Sequence, residues 1–256
     1  NGLDFKGINA NEELGQILAD KAGGNWIRMI REMNRHVIPL ANDVIKTIDE
    51  VARDAELVIH SFLMTDAGHT IAQKYGIKDI SAQFFPIFLP TSEFPAVGLP
   101  NLPLGKLSRL GSHALSTTIF RYFPRILYSR LKKSAPELPD LAPWLLSGPV
   151  EQRPPVLFAY SKHVLPVPKR WPENAHVTGY WQLPTPANWN PPSDLLNFLN
   201  IGPAPIYFGP GSMQSQKSNK LLELIVNGVQ KSGQRLVIGA NSNSFPSELI
   251  NNNIIF

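Results

Sequence analysis

Val37, Ala41, Val44, Ile48 and Val51 recur at three- and four-residue intervals, which predicts an amphipathic helix over 37–53. The period then changes. Leu57-Val58-Ile59 is a short apolar burst, and 56–61 reads as a buried strand. Helical spacing returns over 65–75 and stops at Gly76, a residue suited to closing a helix. A further strand is predicted over 80–85, ended by Pro86. Helix, strand, helix and strand in that order predict βαβ units on a parallel sheet.

From Pro86 to Gly105 the chain is a long loop rich in Pro, Phe and Leu, and 106–134 is mostly helical with an interruption at Pro124. Strands are predicted over 156–161 and 176–181. The Pro- and Asn-bearing stretch 182–192 reads as an interdomain linker. The pattern then restarts. Ser193 or Asp194 caps a short helix through Leu199, and 205–208 is a strand. Leu221, Leu222, Ile225 and Val229 mark a helix that ends near Gly233, with strands over 235–238 and 253–256.

Composition narrows the class. With 256 residues, 43% hydrophobic and 17% charged, the chain has the make-up of a folded protein able to bury a sizeable core. No run approaches the roughly 20 apolar residues that span a bilayer, and no charged-then-apolar leader opens the sequence. The absence of cysteine excludes disulfides, thiolate nucleophiles and cysteine-ligated metals, and fits a cytoplasmic location. The 24 prolines gather at 86–103, 136–155, 166–172 and 184–192, as in long ordered connections rather than a disordered tail. Net charge is only +4, and the densest basic patch runs from Arg121 to Lys133 among apolar residues. It reads first as the solvated face of an amphipathic helix, with peripheral contact to an anionic membrane as the functional alternative. Basic and aromatic residues do not interleave regularly, so nucleic acid is not an expected partner.

The sharpest local signal is a strand, Gly209-Pro210-Gly211-Ser212-Met213, and a helix. Such a turn lets backbone approach a ligand closely and aims free helix N–H groups at a phosphate, although a plain tight turn has the same spacing. His60 ends a strand and His69 sits on a helix, and neither is spaced with a partner as metal ligands are, so no metal site is expected. Neither a Ser-His-Asp set nor a carboxylate pair can be assembled from spacing.

Three segments carry a resemblance. Trp189-Asn190-Pro191-Pro192, Leu195 to Leu199 and Pro205 to Met213 look like the opening of the donor domain in family 1 glycosyltransferases, most similarly in the branch of sterol glucosyltransferases and bacterial antibiotic glycosyltransferases. Gly68 to Ile77, the following strand and Pro90-Thr91-Ser92-Glu93-Phe94-Pro95 resemble a helix, strand and loop of that family's acceptor domain. Gly179-Tyr180-Trp181 before the linker is the third match, and together they cover most of the chain in the family's order. Two positions depart from the pattern: Pro210 replaces the usual aromatic of the turn, and Gly239-Ala240-Asn241-Ser242-Asn243 replaces an apolar segment.

The resemblance implies an α/β, GT-B-like architecture of two Rossmann-like domains, both incomplete in this chain. Residues 1–181 would form the acceptor-binding domain without its first strand and loop, and 193–256 the first part of the nucleotide-sugar donor domain. It implies inverting transfer of a hexose from a UDP-sugar to a hydroxyl of an apolar acceptor such as a sterol or lipid-like aglycone, without metal or cofactor. Gly211 and Ser212 would lie by the donor phosphates. Phe84, Phe85, Phe88, Leu89 and Phe94 would line the acceptor pocket, with Glu93 and Asp66 as polar contacts to the acceptor hydroxyl. The family's catalytic base and its His-x-Gly-Gly-Ala-Gly-Thr donor segment have no counterpart in these residues. An internal piece inactive on its own, prone to self-association through uncovered edges and faces, is therefore expected. The alternatives are a non-catalytic module for apolar ligands and a sugar-nucleotide epimerase of the same architecture, against which the Pro-Thr-Ser-Glu-Phe-Pro loop argues.

Overall fold

Four short runs of β-formers between residues 57 and 177 pair side by side, each reached by a crossover. The structure, a computed structural model, describes residues 4–7, 43–134, 136–209, 216–239 and 253–255. The chain divides into two compact units, which part between Leu183 and Pro184.

In the first unit, helical residues 43–52 (α1) precede β1 (Leu57–His60), α2 (Thr65–Tyr75) and β2 (Lys78–Gln83). The long helix α3 (Gly105–Ser134) and the short strands β3 (Val156–Phe158) and β4 (Ala175–Val177) follow. Strand order is β1-β2-β3-β4 and every pair is parallel, as the helix–strand alternation predicts. Helix α2 ends where expected, at Gly76, whose φ of +67° and N–H bonds to Ala72 and Gln73 close the last turn.

Burial divides this unit between two clusters. Ile45, Ala52, Ala67, Ile71, Tyr128 and Leu138 pack over Val58 and Tyr75 on one face. Phe88, Trp144, Leu145, Val156, Phe158 and Tyr160 form the second, with Phe62, Phe85 and Phe120 against it. Several expectations need correction. In α1 the inward stripe is Ile45, Ile48 and Ala52, while Val51 is exposed; the start of the predicted helix, 37–42, lies outside the described residues. Strand β1 is buried on one face only, since Leu57 and Ile59 are 44% and 63% exposed. Helix α3 runs unbroken through Pro124. A mid-helix proline forfeits one backbone bond, at about 3 kcal/mol, and anchors on both sides hold the helix: buried His113 and half-buried Phe120 before it, buried Tyr128 after it.

The second unit repeats the scheme with α4 (Ser193–Asn200), β5 (Ile206–Phe208), α5 (Gln216–Ser232), β6 (Leu236–Ile238) and β7 (Ile254–Ile255). Its three strands are also parallel, in the order β5-β6-β7. Leu222, Val226 and Val229 of α5 seat on Leu236, Ile238 and Ile254. Neither expected cap opens α4: Pro192 holds that position without a side-chain hydrogen bond, and Asp194 accepts the N–H of Leu195 at 2.9 Å. Two parallel sheets in sequence make this an α/β protein, as expected.

Candidate functional site

Because the strands are parallel, β1 to β4 end on one edge of their sheet, where ligands of open α/β sheets bind. Gln83 closes β2 there and is 1% exposed. Its Oε1 accepts the N–H of Phe62 at 3.0 Å, and its Nε2 donates to Ser81 Oγ at 2.8 Å and Thr65 Oγ1 at 3.2 Å. One amide thus ties the end of β2 to the turn after β1 and to the first residue of α2. Phe62 in that turn has φ +37° and Phe88, beyond β2, has φ +71°. A left-handed phenylalanine costs on the order of 1–3 kcal/mol, and such residues gather at functional sites. Ring packing holds both: Phe62 meets Phe85 and Phe120 at 5.3 and 5.6 Å, and Phe88 meets Phe120 and Trp144 at 6.1 and 5.2 Å.

Of the expected acceptor contacts, Phe84 stands 61% exposed directly after β2, its ring edge-to-face with that of Trp181 at 5.9 Å. Tyr180 and Trp181 follow β4 and are 57% and 45% exposed, so three aromatics present surface at this edge. Phe85 is partly buried, and Phe88 and Leu89 are core residues. Phe94 is buried between Trp171 and His113, at 6.4 and 5.9 Å. Glu93 is exposed and accepts the backbone N–H of Lys169 at 2.9 Å. Asp66 is buried beside Arg125 at 3.4 Å, and Arg125 also donates to the Ala142 carbonyl at 2.7 Å. Burial pushes the Asp66 carboxyl up, and the Arg125 charge offsets this only in part.

The Phe94 loop is pinned from α3. His113 Nε2 donates to the Phe94 carbonyl at 3.0 Å, and burial holds the imidazole below its ordinary value despite that bond. A histidine with a depressed folded value is neutral when folded and takes a proton more readily when unfolded. Its contribution is complete above the unfolded value of about 6.5 and is lost as pH falls below it. The urea midpoint is therefore expected to fall between pH 7 and pH 5, and His113→Gln is expected to remove part of that slope.

Sequence spacing gave no warning of the polar cluster under α2. Register pairs Val58 with Asp79 and His60 with Ser81, so both chemistries face the same helix. Asp79 Oδ2 accepts His60 Nε2 at 2.9 Å and His69 Nδ1 at 2.8 Å, and all three side chains are buried. Burial works to raise the Asp79 carboxyl, but the two imidazole hydrogen bonds more than offset it and hold it below the ordinary carboxylate value. An ionised carboxylate only accepts, so both imidazoles donate to it. Gly68 makes the cluster possible: a Cβ there would lie 2.5 Å from His60 Cβ. These three are the described residues whose ligand atoms come together as a metal set, within 4.8 Å of one another. As a ligand through Nε2, however, His60 would carry its proton on Nδ1, which is buried with no acceptor among the described residues. The cluster instead works as a hydrogen-bonded lock between β1, α2 and β2.

In the second unit the expected donor contacts Gly211 and Ser212 lie outside the described residues. The Tyr207 hydroxyl lies over the backbone at the ends of β5 and β6, 2.7 Å from where a Cβ on Gly209 would sit and closer still at Gly239. Arg235 is buried, donates to the Pro203 carbonyl at 2.8 Å and to that of Phe198, and stacks 4.0 Å over the Phe198 ring.

An α/β protein with two parallel-sheet units and aromatic residues at a carboxyl edge is the class these observations define. No family model matches the chain. It is 32% identical over 178 residues to sterol 3-beta-glucosyltransferase UGT80A2 of Arabidopsis thaliana, a match covering 67% of the chain and 26% of that protein. It is 24% identical over 243 residues to a sterol 3-beta-glucosyltransferase of Aspergillus oryzae, covering 93% of the chain and 17% of the relative. A UDP-sugar-dependent glycosyltransferase 52 of Dictyostelium discoideum is 28% identical over 183 residues, covering 67% of the chain and 10% of the relative. Among solved structures, Phytolacca americana UGT2 complexed with UDP-2-fluoro-glucose and pterostilbene superposes with a TM-score of 0.42 at 14% identity, over 88% of this chain and 51% of that one. The chain belongs to the family 1 UDP-glycosyltransferases, among relatives of the sterol glucosyltransferases. It spans about a quarter or less of the length of these curated relatives.

Proposed function

We propose that this chain supplies the acceptor-binding unit, and the opening of the donor unit, of an inverting glycosyltransferase that moves a hexose from a UDP-sugar to the hydroxyl of a sterol or similar apolar acceptor. Residues 1–181 serve the acceptor, 182–192 connect, and 193–256 begin the donor side. The observation that carries this reading is the exposed Phe84–Trp181 pair at the carboxyl edge of the first sheet. Apolar surface left open at that edge suits a ligand that is itself apolar and flat, with few polar groups to satisfy. Phe85 adds to the same wall, while Phe88 and Phe94 stiffen it from the core behind. Glu93, exposed on the loop after β2, is the carboxylate that receives the acceptor hydroxyl. Gly211 and Ser212, between β5 and α5, meet the donor diphosphate through backbone N–H and hydroxyl groups.

Equilibrium binding of a fluorescent sterol to the chain and to its Phe84→Ala and Trp181→Ala variants tests the reading. Loss of one large apolar contact is expected to weaken binding about tenfold or more. Sterol affinity unchanged in both variants, with UDP affinity also unmoved by Ser212→Ala, would remove the acceptor and donor assignments together. Transfer itself is to be assayed with UDP-glucose and a sterol acceptor.

A further inference from the structure

The solvent-facing side of α3 carries the wrong residues for a face that stays in water. Positions 107, 115, 119, 122 and 126 of α3 fall on one stripe at helical spacing, opposite the buried His113 and Tyr128. That stripe should be polar. It holds Leu107, Leu115, Ile119, Tyr122 and Ile126, of which Leu107 is 82% and Ile126 54% exposed, and Leu104, just before the helix, is 70% exposed. At the rise of an α-helix it extends for about 30 Å. Scattered exposed leucines need no explanation, whereas large apolar residues gathered on one helix face mark a surface that something covers.

Charge says what covers it. Helix α3 contains seven Lys and Arg and no Asp or Glu in 30 residues. The whole chain is only +4, so the rest of it is net negative. Among the described residues, only Arg125 and Lys132 of α3 are paired with carboxylates, those of Asp66 and Asp140. Arg109 spends its hydrogen bonds on Asn101 and on the carbonyls of Ser92 and Glu93, which leaves its charge uncancelled. Arg121 and Arg130 flank the stripe rather than interrupt it. An apolar band bordered by cations whose long stems reach past it fits a surface that is negative outside and hydrocarbon within.

We propose that α3 is a membrane-docking helix, which lays Leu107, Leu115, Ile119, Tyr122 and Ile126 into the headgroup–acyl boundary of a bilayer bearing anionic lipid, with Arg121, Arg130 and Lys133 at the headgroups. No helix among the described residues is long and apolar enough to cross a membrane, and this mode needs none. The inference stands apart from the acceptor assignment, since none of these residues belongs to the Phe84–Trp181 edge.

Co-sedimentation of the chain with phosphatidylcholine vesicles, with and without phosphatidylserine, tests it. The chain is expected to pellet with the anionic vesicles and to be released by salt. Leu107→Gln with Leu115→Gln should lower vesicle affinity about tenfold or more, and Arg121→Gln with Arg130→Gln by roughly thirtyfold. All four positions are exposed or flank the stripe, and unchanged melting of each variant shows that the fold survives. As an independent reading, the Tyr122→Trp emission should shift to the blue on adding anionic vesicles. Failure to pellet, or binding untouched by the leucine pair, overturns the proposal. So does a concentration-dependent dimer that the leucine pair dissolves, because the occupant would then be a second copy of the chain.

Discussion

Asp79→Ala is expected to cost the first unit about 2–6 kcal/mol of stability. The substitution strands two buried imidazole N–H groups, on His60 and His69, which donate to one carboxylate oxygen at 2.9 and 2.8 Å. A buried donor without a partner costs about 1–3 kcal/mol, so the pair together is a large share of a domain's margin of about 5–15 kcal/mol. Urea unfolding followed by far-UV circular dichroism reads the effect. Asp79→Asn, which keeps one acceptor oxygen, should lie between the variant and the natural chain. The sign with pH follows from the depressed folded value. Such a carboxylate contributes fully above its unfolded value of about 3.9 and loses that contribution as pH falls through the lower folded value. The natural chain should therefore lose stability below about pH 4 more steeply than Asp79→Asn does. Identical acid limbs for the two would mean that the carboxylate does not hold the cluster.

The second large effect is expected at Gly68, where the usual rule for helices reverses. A mid-helix glycine replaced by alanine ordinarily gains up to about 1 kcal/mol. Here the new methyl would sit 2.5 Å from His60 Cβ, an atom fixed to the strand backbone that cannot swing aside. Helix α2 must lift from β1, and overpacking of this kind costs about 1–3 kcal/mol. The lift also lengthens both hydrogen bonds to Asp79, so the loss should exceed a simple steric cost. Gly68→Ala in an Asp79→Asn background is then expected to cost less than in the natural chain, and strictly additive losses would argue against the coupling.

The local code was legible where it is local. Gly76 closes α2 and Gly233 ends α5 near the predicted positions, because a left-handed residue after a periodic helix is readable in a few letters. The alternation of helix and strand was enough to give parallel pairing. Pro124 misled because its neighbours Phe120 and Tyr128 are anchored by tertiary packing, which outweighs a lost backbone bond. The cluster His60–His69–Asp79 has no signature in sequence, since it depends on which residue of β1 stands beside which residue of β2. Among the phenylalanines of the 84–94 stretch, an irregular proline-rich path carries no period to separate inward from outward. Phe84 at the surface and Phe88 in the core look alike until the loop is folded.

The all-parallel pairing has a consequence for how the chain is made. Strand β2 ends at Gln83 and its partner β3 begins at Val156, with the whole of α3 between them. During synthesis, at about 5–20 residues per second, β2 must wait seconds for its neighbour while α3 forms locally in microseconds. Throughout that interval the nascent chain shows an open strand edge beside a helix whose apolar stripe faces outward. Parallel sheets of long sequence separation fold slowly and expose themselves in this way. The step that limits the yield of this protein is therefore expected to be the arrival of residues 156–158 at the sheet, and a chaperone that shields α3 until then should raise the yield.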